Sequence, residues 1–242
     1  MSADQDFIDF KCPYCNEAVS FPQDSARRVQ ECPNCAESLI VPRKPGDPGQ
    51  KVPLPITTPR LTLRRLATAD WKDLLEFFSD EDLFQYAEGG PVDEEQILRW
   101  LETDKHVNLT TPNTRFCLGV AIQPSGKVIG VIYLNFSGES HLQTTVRLYI
   151  SREVQRQGFA AEAVNAVLGF CFEGLGLHRV SASCDSRNVA ALKLAAKVGM
   201  RREGEFRKDQ FVSGEWVDTA WHAILAEEYF NSKSQPPRRG ST

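Results

Sequence analysis

The chain has 242 residues with a formal net charge of −4, of which 41% are hydrophobic and 25% charged. That balance belongs to a folded globular protein; it excludes a disordered polymer and a whole-molecule field that draws the chain to nucleic acid or anionic lipid. No apolar run approaches the ~20 residues of a membrane-spanning helix, and MSADQDFIDFK lacks the basic-then-apolar order of a secretion signal, so the expected location is cytoplasmic, where thiols stay reduced.

Seven cysteines need another account than disulfides. Four form two Cys-Pro-X-Cys turns, Cys12 with Cys15 and Cys32 with Cys35. Each turn places two thiolates side by side, and two such turns complete a tetrahedron with zinc–sulfur distances near 2.3 Å. Proline pre-sets φ in each pair. Asn16 tolerates the left-handed backbone that follows such a turn, whereas Ala36 in the matching place fits it less well. FIDFK, AVSF and SLIVP read as short strands, and residues 7–42 resemble a four-cysteine zinc ribbon. A redox dithiol would sit at a helix start in a βαβ setting, which is not predicted here. With four protein ligands no position is left for water, so the Zn2+ is expected to be structural and to supply the folding energy of so short a segment. Lys11, Arg27, Arg28, Arg43 and Lys44 read as a solvated face. Cys117, Cys171 and Cys184 lie in apolar segments and read as small core residues.

Residues 43–56 are dominated by Pro and Gly and read as a semi-extended linker without an apolar period. Residues 57–230 read as a second domain, and residues 231–242 as a disordered tail. Within the second domain RLTLRRL alternates as a strand, and Asp70 opens the helix WKDLLEFF. Asp93 with Gln96 forms a capping box for EEQILRWLETD. RFCLGVAIQ and VIGVIYLNF flank a turn and read as a hairpin. TTVRLYIS is a strand, GFAAEAVNAVLGFCF a helix, HRVSASC a strand, and NVAALKLAAKV a helix stopped by Gly199. MRREGEFRKDQF and EWVDTAWHAIL are strands that turn near Val212–Gly214. The fold class is α/β, a mixed (α+β) sheet with helices on its faces.

The stretch VRLYISREVQRQGFAAEA carries the chemistry. A strand ends, a polar loop follows, and a helix begins at Gly158. A helix start offers unpaired N–H groups and a positive dipole end, an anion site. Gly158 lets a ligand approach the backbone and Ala160 keeps the first turn uncluttered, while Arg152 and Arg156 add positive charge. The run is neither the Walker loop nor GxGxxG.

Gln155-Arg156-Gln157-Gly158-Phe159-Ala160 after a strand is similar to the pyrophosphate loop of the GNAT superfamily of N-acetyltransferases. PRLTLRRL, GFAAEAVNAVLGFCFEGLGLHRV, DSRNVAALKLAAKVGMRREGEFR and GEWVD, in that order, resemble the branch that acetylates ribosomal-protein N-termini. The resemblance covers about 57–230 and implies a GNAT fold behind the ribbon. It implies acetyl-CoA as co-substrate, with its pyrophosphate on Gln155, Arg156, Gln157, Gly158, Phe159 and Ala160. It places the pantetheine arm along Leu148, Tyr149 and Ile150, where this strand and the next splay apart. An N–H near Tyr149 or Ile150 would polarise the thioester carbonyl. Asn188 matches a cofactor contact and is also suited to cap its helix.

The family pattern is broken at two places. Ala195 stands where many members carry a Tyr acid, and Ala191 where a Ser supports the Asn. No carboxylate lies inside 144–150, so Glu139, His141 and Asp185 remain as candidate bases and Glu162 reads as structural. The implied activity is transfer of acetyl to a primary amine, a protein N-terminus or a small amine, by direct attack on the thioester. Asp80, Glu81, Asp82 and Glu88 would favour a cationic acceptor. The alternative is a non-catalytic acetyl-CoA-binding scaffold or sensor. The ribbon is expected to recruit a partner, a protein rather than nucleic acid or membrane, and to be separable: removing residues 1–45 would leave small-amine acetylation intact.

Overall fold

A computed structural model gives the architecture, and the structure describes residues 7–107, 109, 115–137 and 142–234. Among these residues no helix is long and apolar enough to cross a membrane. The first part of the chain forms strands β1 (Phe7–Lys11), β2 (Ala18–Pro22), β3 (Val29–Glu31), β4 (Ser38–Ile40) and β5 (Gln50–Lys51). β1 pairs with β2, and β3, β4 and β5 make a second small antiparallel sheet. The two cysteine turns are near copies. Asn16 N–H donates to the Cys12 carbonyl at 3.0 Å, and Ala36 N–H to the Cys32 carbonyl at 2.9 Å. Both residues are left-handed, Asn16 at φ 63° and Ala36 at φ 60°. Ala36 takes up this backbone although it suits alanine less well: the closed turn dictates the conformation, at a cost of ~1–2 kcal/mol.

The rest of the chain adds β6 (Ile56–Thr57), β7 (Leu61–Arg64), α1 (Trp71–Phe78), α2 (Glu94–Asp104), β8 (Arg115–Ile122), β9 (Val128–Ser137) and β10 (Gln143–Ile150). Then follow α3 (Phe159–Gly169), β11 (Arg179–Asp185), α4 (Val189–Lys197), β12 (Arg201–Val212), β13 (Glu215–Leu225) and α5 (Ala226–Ser234). One eight-stranded sheet runs in the order β12-β13-β11-β10-β9-β8-β7-β6. It is mixed, because β10 and β11 are parallel and the other pairs antiparallel. The expected capping box is present, with Gln96 N–H donating to Asp93 Oδ1 at 2.8 Å and Asp93 N–H to Gln96 Oε1 at 2.9 Å. Asp70 closes a short 3-10 turn ahead of α1 and takes two hydrogen bonds from Arg64, each 2.8 Å. The β12–β13 turn is made by Ser213 and Gly214, both at positive φ, as a two-residue hairpin loop requires. α5 covers 231–234 of the expected tail, and residues 235–242 lie outside the described residues.

Alternation sorts the sheet's side chains into two cores. Phe116, Leu118, Ile132, Leu134, Val146 and Ile150 pack with α3 on one face. Cys117, Val128 and Val131 pack with Leu74, Phe77 and Phe78 of α1 and Ile97 and Leu101 of α2 on the other. The alternation slips once. Ile129 and Ile132 face the first core while Val128 and Val131 face the second, and the β8–β9 register jumps between Val120↔Gly130 and Ala121↔Val128. β9 therefore carries a bulge at Ile129–Gly130, which bends the strand at the site described below.

A third core belongs to the ribbon: Ile8, Phe10, Val19, Leu39 and Val41 with the cysteines. Within β4 the alternation ties it to the larger unit, since Leu39 faces the ribbon core and Ile40 the first core of the sheet. The stretch 43–56 also has a period that composition concealed. Val52 is buried in that same core, with Leu54 and Ile56 packed on it, so every second residue points the same way. Cys117 and Cys171 are fully buried and Cys184 is half-buried.

Candidate active site

β10 and β11 share three residue pairs, Gln143↔Arg179, Thr144↔Val180 and Thr145↔Ser181. Beyond them β10 continues to Ile150 against β9 alone, and β11 continues to Asp185 against β13 alone. The sheet thus opens like a V, and the backbone of β10 from Val146 onward is unpaired on one side. Such an edge is ready to take an extended ligand as an added strand.

The loop that closes the V runs from Ser151 to Gly158. Ser151 N–H donates to the Ile129 carbonyl at 2.8 Å, and Gln155 Nε2 to the Ile150 carbonyl at 3.3 Å. Two residues are left-handed, Arg156 at φ 61° and Gly158 at φ 86°. Gly158 is the N-cap of α3, and its carbonyl accepts the Glu162 N–H at 3.1 Å. The N–H groups of the first turn ahead of Glu162 have no intrahelical acceptor, the arrangement that suits an anion.

A clasp holds this loop in place. Glu162 accepts from Thr58 Oγ1 at 2.7 Å, from Arg60 N–H at 3.0 Å and from Arg60 Nε at 2.7 Å. Arg60 also donates to the Gln157 carbonyl at 3.0 Å and lies 4.4 Å over the Phe159 ring. Burial works to raise the Glu162 pKa, but the hydrogen bonds from Thr58 and Arg60 outweigh it and hold it below the ordinary value. A group with a depressed folded pKa contributes stability above its unfolded pKa and loses that contribution as pH falls through the folded one. Glu162→Gln is expected to lower the melting midpoint at pH 7 by on the order of 5 °C. It should raise KM for the acetyl donor more than it lowers kcat, with the stability difference from wild type shrinking as pH drops below ~4. Calorimetry and steady-state kinetics at two pH values check this.

On the sheet face that carries α1 and α2, a cavity of ≈ 620 Å³ opens beside Tyr149. Its walls are chiefly Phe78, Phe84, Trp100, Tyr133 and Tyr149, with Val92, Ile97 and Pro91. The rings brace one another: Tyr133 meets Tyr149 edge-on at 6.1 Å, and Phe78 meets Trp100 edge-on at 5.9 Å. Burial pushes the Tyr133 phenol far up, so it stays protonated.

Residues 60–201 match the model of the Acetyltransferase (GNAT) domain. The chain belongs to the GNAT acetyltransferase family. The uncharacterized N-acetyltransferase YnaD of Bacillus subtilis is 30% identical over 175 residues, 72% of this chain and 98% of that protein. The spermidine N(1)-acetyltransferase of Vibrio cholerae is 26% identical, over 71% of this chain and 96% of its own. A GNAT-family acetyltransferase structure from Bacillus anthracis superposes with a TM-score of 0.64 at 27% identity, covering 71% of this chain and 98% of that one. The chain is accordingly an enzyme of the N-acetyltransferase class, with the mixed sheet that its family fold requires.

In this GNAT chain Leu148, Tyr149 and Ile150 lie on the open edge of β10, and Gln155 to Ala160 span the loop and the first turn of α3. Asn188 caps α4, its Oδ1 accepting the Ala191 N–H at 3.0 Å. That bond uses the backbone of Ala191, so the missing Ser hydroxyl does not leave Asn188 unsupported. Ala195 is buried against the core and offers no acid. Arg152 does not serve the loop as expected: its guanidinium pairs with Asp82, and with Asp80 at 3.4 Å. The same pairs occupy Asp80 and Asp82 of the acidic residues expected to attract a cationic acceptor, and leave Glu81 and Glu88 exposed. Asp185 is likewise spent, accepting from the Arg187 N–H at 2.8 Å and from its side chain at 2.7 Å. Burial raises its pKa and these bonds lower it further still, so it sits below the usual carboxylate range and is a poor base. Glu139 and His141 lie outside the described residues. Sequence reasoning missed Thr58 and Arg60 as loop anchors and Tyr133 and Trp100 as pocket walls. Only PRLTLRRL, which contains Arg60 and follows Thr58, carried a signal.

The four cysteines of the ribbon place their Sγ atoms within 4.8 Å of one another. Cys12 Sγ to Cys35 Sγ and Cys15 Sγ to Cys32 Sγ are each 3.8 Å. A tetrahedron with zinc–sulfur bonds of ~2.3 Å has edges of about that length, so the donor set fits Zn2+. Burial works to raise the Cys12 pKa, but the N–H groups of Cys15 and Tyr14 outweigh it and draw it down to about 7; at Cys15 and Cys35 backbone N–H groups lower the pKa, but burial and the neighbouring thiols outweigh them and raise it, so binding a metal would displace protons.

Proposed function

We propose that the enzyme moves the acetyl group of acetyl-CoA to a primary amine, a protein N-terminus or a small amine, with Zn2+ held by Cys12, Cys15, Cys32 and Cys35 in a structural role. The observation that carries the transfer is the parting of β10 from β11 directly before the cradle of Gln155 to Ala160. The pyrophosphate rests on the cradle, and the pantetheine arm lies along Leu148, Tyr149 and Ile150. Asn188 keeps its Nδ2 donors for the cofactor, its oxygen being engaged. The thioester then meets the aromatic cavity at Tyr149.

A neutral amine attacks the thioester carbon, forming the C–N bond. The oxygen takes up negative charge and is stabilised by a β10 N–H near Tyr149 or Ile150. Collapse breaks the C–S bond, and the ammonium proton is lost to water or to the departing thiolate. A thiol pKa near 8.5 lets CoA leave without a strong acid, in keeping with Ala195. Apolar walls favour the neutral amine over the ammonium, easing its deprotonation.

The test is thiol release from acetyl-CoA with metal-loaded protein and a panel of peptides and small amines. Acceptor-dependent CoA release is expected. Tight acetyl-CoA binding without any such release would instead mark an acetyl-CoA-binding scaffold.

A further inference from the structure

The cavity beside Tyr149 is unevenly charged. Among its described lining residues the ionisable groups other than tyrosine are Asp104 and Arg115. Asp104 is buried and already has a cation: Arg65 Nη2 lies 3.2 Å from its Oδ2 and donates to its backbone carbonyl as well. Burial raises the Asp104 pKa, and Arg65 only partly opposes it. Arg65 is itself fixed, lying 4.6 Å over the Phe116 ring. The pair therefore presents no net charge to a ligand.

Arg115 is different. It begins β8 at the rim, its guanidinium 6.0 Å over the Tyr133 ring. Among the described residues no carboxylate pairs with it. Of the acids in the α1–α2 connection, Asp80 and Asp82 are committed to Arg152, and Glu81 and Glu88 are exposed and do not line the cavity. A ligand with several ammonium groups would find no free carboxylate among the described walls, and burying an unpaired charge is costly. The ring faces do not replace one, because Tyr133 already carries Arg115 and the other rings pack on each other.

On the reading that this cavity takes the acceptor, we infer that the acceptor is an apolar or aromatic amine bearing an anionic group, its carboxylate or phosphate pairing with Arg115 while its amine reaches Tyr149. The aromatic walls hold the apolar body. Arg115 makes a charge-assisted bond that fixes its far end, and so sets specificity away from polyamines. Arg115 acts on acceptor binding and not on the acetyl donor.

The experiment compares acetylation of phenylalanyl-glutamate and tryptophan, as anionic amines, with tryptamine, as a neutral-bodied amine, and spermidine. Wild type and Arg115→Gln are used with metal-loaded enzyme. Wild type is expected to favour the anionic amines in kcat/KM, and Arg115→Gln to lower that value about tenfold or more for them. The same variant should leave tryptamine and the KM for acetyl-CoA unchanged. Preference for spermidine, or an anionic preference surviving in Arg115→Gln, overturns the inference while the transferase reading stands. No turnover of any anionic amine overturns it too. Absence of acetyl-CoA binding would remove the transferase reading itself.

Discussion

With Zn2+ held by the ribbon as proposed, stripping the metal is expected to weaken the whole enzyme, lowering its melting midpoint by roughly 10 °C or more. Structural zinc contributes on the order of 10 kcal/mol to the folding of short cysteine-ligated segments, and the ribbon's own core is a handful of residues. Without the ion the ribbon opens. Ile40 leaves the first core of the sheet, and Val52, which follows the strand paired with β4, loses its cover. Each such side chain is worth about 1.5–3 kcal/mol when fully buried. Contacts at the far end of α3 are lost with them, where Pro53 packs at Gly174 and Arg27 at Gly176. Calorimetry with and without a strong chelator, and on Cys35→Ser, measures the effect. Hydrogen exchange should rise in 170–177 as well as in the ribbon. A melting midpoint indifferent to chelation would mean that the ribbon is merely tethered or holds no zinc. This docking also revises the expectation of a separable recruiting module: removing residues 1–45 takes away Ile40, and small-amine acetylation should fall through instability.

Gly130→Ala is expected to cut kcat/KM for acetyl-CoA by about 100-fold. Gly130 sits in the β9 bulge opposite Ile150. A methyl group there would be driven into the Tyr149 carbonyl oxygen and to within 3.0 Å of the Ile150 Cα. These are backbone atoms, so β10 has to move, and it moves where the pantetheine arm and the thioester are proposed to lie. A displacement near 1 Å is enough for a loss of that size. Overpacking also costs about 1–3 kcal/mol, so the folded fraction is measured alongside. Gly204→Ala, with nothing within 4 Å of the added carbon, is the control and should leave the kinetics unchanged. Wild-type kinetics in a folded Gly130→Ala protein would mean that this stretch of β10 does not hold the donor.

What the amino-acid order determined by itself is local. The capping box of α2, the stop at Gly199, the two-residue turn of β12–β13 and the two cysteine turns each depend on residues within a few positions of one another. So does the cradle, since a strand, a glycine and a helix start suffice to form it. The tertiary structure alone decided the rest. Glu162 meets Thr58 and Arg60 across about a hundred residues of chain, and no period announces such a partner. Arg152 reads as a free cation until the turn holding Asp80 and Asp82 is brought beside it. Val52, Leu54 and Ile56 look like punctuation among prolines until a core exists for them to face. The aromatic cavity is built from α1, the α1–α2 connection, α2, β8, β9 and β10, none of which carries it alone. Local rules act through the backbone and nearest turns, whereas burial and charge pairing depend on which distant surfaces meet, and only the folded chain specifies that.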